Sequence, residues 1–341
     1  MSRQHLGTPR FGLHPLHGVH LPTRETPARR PRSVRRNTSI DMTRSPGALD
    51  PLYLCGTGRD LQTAADGAAQ ELRHVGLMAT VEMVAGVIRN IETDPPIDGM
   101  SRLAGAPAMS GFRAAADAVA PELRQRRDPL YTLIDDIPVA TLISGHALCA
   151  SGALGERSGA GYRPMIGQCA GFAPDGLMVS SHQAGEIPVV TGPIAPPLES
   201  PQDPIAWHQL DDLPLHGMRR RRRIDVSLSS GSEILVDAMF RDSYMRADAQ
   251  ETVIHEYTLT ATVDADTGVI LESRAVARVL PWQECPGAVE SAARITGMTL
   301  AELHFRVRAE LTGTSTCTHL NDLLRSVADA MALIPVVQGL R

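Results

Sequence analysis

The chain repeats itself once, and that repeat restricts its possible folds more than any other feature. Ala79-Thr-Val-Glu-Met-Val-Ala-Gly-Val-Ile88 aligns without a gap on Ala261-Thr-Val-Asp-Ala-Asp-Thr-Gly-Val-Ile270, an offset of 182. At the same offset Arg59-Asp60 falls on Arg241-Asp242, and a two-residue adjustment pairs Ile40-Asp41 with Ile224-Asp225, each preceded by basic residues. Further on, Gly105 pairs with Gly297, Phe112-Arg113 with Phe305-Arg306, and Leu133-Ile-Asp135 with Leu320-Asn-Asp322. The order of the matches is preserved throughout. A repeat of such long period implies tandem domains, because solenoid units are far shorter.

The second unit shows what is repeated. Arg223 to Leu228, Ile234 to Met239, Val253 to Val263 and Val269 to Leu280 are rich in β-branched residues in loose alternation, the pattern of strands. Asp264-Ala-Asp-Thr-Gly268 is a turn between the last two, which then form a hairpin. Pro286 suits a first helical position and Gly297 a helix stop. Thr299-Leu-Ala-Glu302 is a capping box opening a helix with Leu300, Leu303, Val307 and Leu311 on one face. A last helix is expected from about Thr318 to Ala332. The expected fold class is therefore α+β: two tandem diverged copies, each an antiparallel sheet of about four strands followed by two to three helices.

Residues 1–34 read as a basic, Pro-rich disordered tail that includes His14, His17 and His20 at every third position. Residues 35–150 hold the degenerate copy. Residues 151–215, with Gly159-Ala-Gly-Tyr162 and Thr191-Gly-Pro-Ile-Ala-Pro-Pro197, read as a Gly/Pro-rich linker. Residues 216–335 hold the second copy.

With 43% apolar but only 4% aromatic residues, the core must be largely aliphatic. No run approaches the eighteen or so uninterrupted apolar residues of a membrane span, and the N-terminus lacks a secretory h-region. The five cysteines form no CxxC pair and no close framework, so reduced thiols in a cytoplasmic setting are expected, and no membrane partner. A net charge of −5 makes nucleic acid an improbable partner. The oligomeric state is left open. The run Arg219 to Arg223 has a counterpart in Arg29, Arg30, Arg32, Arg35 and Arg36; it reads as a salt-bridged strand edge or as a seat for an anionic ligand. Gly56-Thr-Gly58 is no nucleotide loop, since a third glycine and a following lysine are missing.

The residues able to do chemistry are Cys285, Cys317, His319 and Asp322, with His255 and Asp242 supplied by the strands. Cys285 and Cys317 stand at expected helix starts, where unpaired N–H groups favour a thiolate. His319 lies two residues beyond Cys317, placed to act as its base, and Asp322 to orient that histidine. Each also has a structural use, cysteine as a small hydrophobe and Asp322 as a helix-start anion. In the first copy His319 becomes Thr132 and Cys317 becomes Leu130, while Leu320 and Asp322 persist as Leu133 and Asp135. Fold-specifying positions are kept and reactive ones are not. Zinc is the other use of Cys285, Cys317, His319 and His255, although the spacing lacks the close C-x₂₋₄-C knuckle.

These elements resemble the bacterial family called domain of unknown function 2889. The resemblance covers about residues 218–333 and rests on Arg221-Arg-Arg-Ile224, Asp242, Ile254-His255, Leu259-Thr-Ala-Thr-Val-Asp264, Cys285-Pro-Gly-Ala288, Ile295-Thr-Gly297 and above all Cys317-Thr-His-Leu320. Thr316 stands where the family usually has glycine. The first half looks like the degenerate partner found in longer actinobacterial relatives. The resemblance implies the domain and no activity. The leading functional expectation is a small-molecule enzyme using the Cys/His cluster. The alternative is a non-catalytic binding or assembly protein, an internal pseudo-dimer with a structural cluster.

Overall fold

The structure is a computed structural model and describes residues 17–153, 165–185, 189–229 and 231–340. Strands β1 (Ser33–Thr43), β2 (Leu52–Thr63), β3 (Ala69–Glu82) and β4 (Val87–Asp94) come first, and β5 (Met218–Leu228), β6 (Glu233–Met245), β7 (Glu251–Asp264) and β8 (Ile270–Val279) follow. In β3 the buried Val75, Leu77, Ala79 and Val81 alternate with more exposed neighbours, the period-two pattern of a strand with one face on a core.

All eight strands join one antiparallel sheet in the order β4-β3-β2-β1-β5-β6-β7-β8. Sheets of about four strands in each half are thus fused, because β1 and β5 pair edge to edge. The pairing covers two edges that would otherwise carry unpaired N–H and C=O groups, and its register sets Arg35 opposite Asp225 and Asp41 opposite Arg219. Opposite charges facing each other across a strand pair stabilise that register over its neighbours.

Helices cover one face. Over the first half lie α1 (Phe112–Val119), α2 (Pro121–Arg126), α3 (Pro129–Ile143) and α4 (Gly145–Ala150). The short α5 (Leu177–Gln183) precedes a 3₁₀ helix at Cys285–Ile295, then α6 (Leu300–Glu310), α7 (Thr318–Ser326) and α8 (Ala330–Gln338). The Thr299/Glu302 capping box opens α6 as the sequence implies. The segment after Cys285 is 3₁₀ rather than α, and a 3₁₀ turn at Val327–Asp329 splits the expected last helix, which runs on to Gln338. That turn places Asp329 to accept a 2.7 Å hydrogen bond from Thr132 of α3, tying the two helical layers together.

Asp128 caps α3 by accepting the Leu130 N–H. Residues Pro129–Ala150 are long and apolar enough for a membrane span by length and composition, but 61% of the apolar window is buried inside the protein. The helix also carries Asp136 in an ion pair with Arg222. It is a core helix, packed on β1, β2 and β3. Gly58 of β2 permits that closeness: a Cβ there would meet Val75 Cγ2 at 2.8 Å and Pro129 Cβ at 3.5 Å.

The far face of the sheet is covered by chain expected to be tail and linker. The tail's residues 1–16, including His14, lie outside the described residues, as does Gly159-Ala-Gly-Tyr162. Residues 17–32 are docked rather than disordered. Val19 and Leu21 extend the β8 edge through Leu280 N–H to Val19 O (2.8 Å) and Leu21 N–H to Arg278 O (2.7 Å). Arg29 holds Asp203 at 2.8 Å, and Thr26 donates to Leu198 O while accepting from Trp207 Nε1. Leu198, Ala206 and Trp207 pack on Met239 as a small core of their own. The cover is held by these polar anchors, with Arg241 of the sheet also donating to the Pro196 carbonyl, and by the small apolar patch around Met239.

Candidate functional site

At the centre of the helix-covered face, between the apolar side chains of the two cores, the sheet presents charge. Successive residues of β5 point to opposite faces, so Arg220 and Arg222 turn inward while Arg219 and Arg221 turn outward. Arg220, 1% exposed, donates through Nη1 to both oxygens of Asp242 at 2.7 and 2.9 Å. Its Nη2 lies 3.4 Å from Asp322 of α7. Arg222 grips Asp136 of α3 through two bonds of 2.6 and 2.7 Å. Arg36 of β1 binds Asp60 by two 2.7 Å bonds and lies 3.3 Å from Asp329. Buried charges are tolerated only when paired in this way. Burial alone would raise the Asp242 carboxyl, but Arg220 and then His255 hold it below its usual range.

Against this network stand two imidazoles. His255 of β7 pairs across the strands with Asp242, its Nδ1 3.3 Å from Oδ2, although the ring is not aimed for a well-aligned hydrogen bond. His319 of α7 stacks on His255 with centroids 3.8 Å apart and planes 19° apart, and beyond it lies Phe240 at 6.3 Å. Burial, then the neighbouring His255, pushes His319 down to about 3, so it is a neutral imidazole near neutral pH. A third ring, His146 of α4, comes from the first half and packs edge-on to Tyr244 at 5.0 Å. Burial and then His255 bring it down to about 4. His146 Nε2, His255 Nδ1 and His319 Nε2 are all buried without a hydrogen-bond partner. Native proteins leave few such groups unsatisfied, and those that remain call for an explanation in chemistry or ligand binding.

The sequence-derived cluster therefore divides. Asp242, His255 and His319 converge. Asp322 does not orient His319; it belongs to the arginine network, 2.7 Å from Arg325 and 3.4 Å from Arg220. Burial would raise its carboxyl, but Arg325, Arg220 and Arg113 hold it at about 2. Cys285 and Cys317 sit apart from the imidazoles in the apolar core with Tyr257, and Cys169 joins them from the segment before α5. Both are at helix starts, as expected, yet neither is a thiolate. Burial drives the Cys317 thiol up to about 11 against the N–H groups of Leu320 and His319, and Cys285 goes well above its normal value. Desolvation outweighs the helix terminus, because the terminus is itself sealed from water. Thr316 is fully buried: its Oγ1 donates to Gly313 O and its carbonyl accepts from Ala170.

Among the described residues one group brings three metal-type ligand atoms within 4.8 Å of each other: Asp242, His255 and His319. The four-ligand zinc set of Cys285, Cys317, His319 and His255 is not assembled. Even the smaller group is poorly disposed for a cation. Ligating rings must contain the metal in their planes, and parallel rings 3.8 Å apart share no such point. Both Asp242 oxygens are also already bonded to Arg220. The arrangement suits proton handling better: a carboxylate-backed imidazole stacked on a neutral one.

His146 and Asp136 escape sequence reading because they come from the half whose reactive residues look lost. Arg220 is visible there only as one of five arginines, and the strand period is the signal that separates it from Arg219 and Arg221.

Residues 218–333 match the family model described as Protein of unknown function (DUF2889). The match contains Arg220, Asp242, His255, Cys285, Cys317, His319 and Asp322, and stops short of His146, Asp136 and Cys169. No curated protein matches the chain.

Proposed function

We propose that this chain is a small-molecule enzyme of the cytoplasm whose proton-handling centre is His255 and His319 with Asp242. The observation that carries the reading is the set of three buried, unpartnered imidazole nitrogens of His146, His255 and His319, two of them, on His255 and His319, beside the Asp242 carboxylate. His255 Nδ1 lies 3.3 Å from the Asp242 carboxylate, and this pairing makes His255 the acid–base group of the proposal. His319, held neutral, serves as a hydrogen-bond donor or acceptor to a reacting oxygen, a role open to an imidazole whose proton affinity is depressed. Cys285 and Cys317 are structural in this scheme. Conversion of a panel of small organic acids and carbonyl compounds, followed by mass spectrometry, tests it. Turnover should vanish in His255→Ala and His319→Ala with thermal unfolding unchanged, and persist in Cys317→Ala. Loss in Cys317→Ala alone would overturn the assignment.

A second reading, a non-catalytic binding or assembly protein built as an internal pseudo-dimer of two copies, has its own support. Arg35 binds Asp225 at 2.6 Å and Arg219 binds Asp41 at 2.6 Å. In the repeat alignment Arg35 corresponds to Arg219 and Asp41 to Asp225, so each pair is the other with the halves exchanged. Within each half, Arg36–Asp60 also has its counterpart in Arg220–Asp242, while the two crossed pairs are the contacts between halves. Isologous contacts of this kind are what a two-fold dimer makes. If turnover is absent throughout the panel while the fold is intact, this reading replaces the first.

A further inference from the structure

A cavity of about 930 Å³ lies on the sheet face away from His255 and His319, under residues 199–215. Its apolar wall is made by Trp207, Leu213 and Met245. Two of its lining side chains are nine-tenths buried and incompletely bonded. Arg221, 6% exposed, spends Nη1 on Glu199 at 2.6 Å and leaves Nε buried and unpaired. Its partner Glu199 is half exposed, so the charge is answered from one side only. His208, 4% exposed, uses Nε2 on Ser39 Oγ at 2.7 Å and leaves Nδ1 buried and unpaired. Ser39 stands directly opposite Arg221 in the β1–β5 register, which sets His208 beside the guanidinium.

Cationic side chains crowd His208, although Glu199, Asp203 and Glu251 also line the cavity. Burial, then Arg59, His74, Arg221 and Arg219, brings His208 down to about 3, and burial lowers Arg221 despite Glu199. Arg219 is not free to contribute, since Asp41 and the Asp211 carbonyl occupy it. What remains unpaired is the buried Nε edge of Arg221 and one neutral imidazole nitrogen beside an apolar wall.

We propose that this cavity binds a small organic acid, its carboxylate seated on the Nε edge of Arg221 and on Nδ1 of His208, its apolar body against Trp207 and Leu213. The guanidinium edge matches a carboxylate in shape as well as charge. Exposed Asp211 and Asp212 also line the cavity, and they disfavour multiply charged anions such as phosphate esters or nucleic acid. The site is separate from the His255/His319 centre and stands whether or not that centre is catalytic.

Isothermal titration of the full chain with 3-phenylpropionate tests the proposal, with 3-phenylpropionamide and inorganic phosphate as controls. Saturable 1:1 binding of the acid is expected, weakened about tenfold or more for the amide and in Arg221→Gln, as for loss of a charge-assisted hydrogen bond. His208→Asn, which keeps a partner for Ser39, should weaken it several-fold and serves if Arg221→Gln does not fold. No binding of the acid, equal binding of the amide, preference for phosphate, or binding unchanged in both variants would each overturn the proposal.

Discussion

Thr38 of β1 and Arg222 of β5 face each other at the middle of the seam that joins the two halves of the sheet. Three steps to either side of that pair the register reads Arg35 against Asp225 and Asp41 against Arg219. Arg222 itself leaves the strand plane for Asp136 of α3, so a residue of one half is neutralised by a helix of the other.

Removing that partner strands a buried guanidinium. Asp136→Ala should therefore lose about 3–5 kcal/mol of unfolding free energy, the usual result of breaking one side of a buried pair. Arg220 Nε, 3.4 Å from the same carboxylate, adds to the loss. Urea unfolding measures it. The exposed Arg306–Glu310 pair on α6 is the control, and Arg306→Ala should leave the transition where it was. Equal sensitivity of the two variants would mean that the inner network is not what fixes the seam.

The buried thiols give a second, chemical readout. Cys55 is exposed, Cys149 half-buried, and Cys169, Cys285 and Cys317 are buried. Alkylation of native protein at pH 8 should therefore label Cys55 first and leave Cys317 and Cys285 untouched until denaturant is added, because the thiolate is the reacting species and burial suppresses it. Peptide mass spectrometry reads the order. Rapid native labelling of Cys317 would restore it as a nucleophile.

Gly58 marks the closest approach in the first half. Its substitution by alanine drives a methyl to 2.8 Å from Val75 Cγ2 under α3, and the cost of such overpacking is about 1–3 kcal/mol. Gly47, where a new Cβ meets nothing within 4 Å but φ is +73°, separates strain from crowding. A shift in melting temperature for Gly58→Ala no larger than that of a surface alanine would show that α3 has room to retreat.

The sequence makes local features legible and hides those that depend on long-range pairing. The Thr299/Glu302 box and the turn after Asp264 involve neighbours in sequence, and they are found where the residues imply. The β1–β5 seam joins segments nearly two hundred residues apart, and no local propensity encodes it. The arginine run contained the information, since alternate arginines must face opposite sides, but both sides are buried and only the partner aspartates say which side lies under the helices. His255, His319 and Asp242 were legible as chemistry-bearing types. Cys317 was misleading: a helix start suggests a thiolate, and only tertiary burial reverses the sign. The docked segment at residues 17–32 was hidden because its anchors, Arg29 to Asp203 and Thr26 to Leu198 and Trp207, lie in distant sequence.

Acid sensitivity is the broadest consequence of the buried rings. His319 and His208 titrate at about 3 and His146 at about 4, against an ordinary 6.5. Between those values the unfolded chain binds protons that the folded chain refuses, so unfolding stability rises with pH across the window. Above pH 6.5 the full stability is present; below it each such ring removes up to about 1.4 kcal/mol per pH unit. His208 should approach that figure, being 4% exposed, while the half-buried His146 and His319 fall short of it. Asp322, held at about 2, loses its own contribution lower still, as pH drops from about 4 through 2. Melting temperature should therefore fall steadily from pH 7 to pH 5, before ordinary carboxylates titrate, and His208→Asn should flatten that fall. A melting temperature constant from pH 7 to pH 5 would mean that the imidazoles accept protons in the folded state.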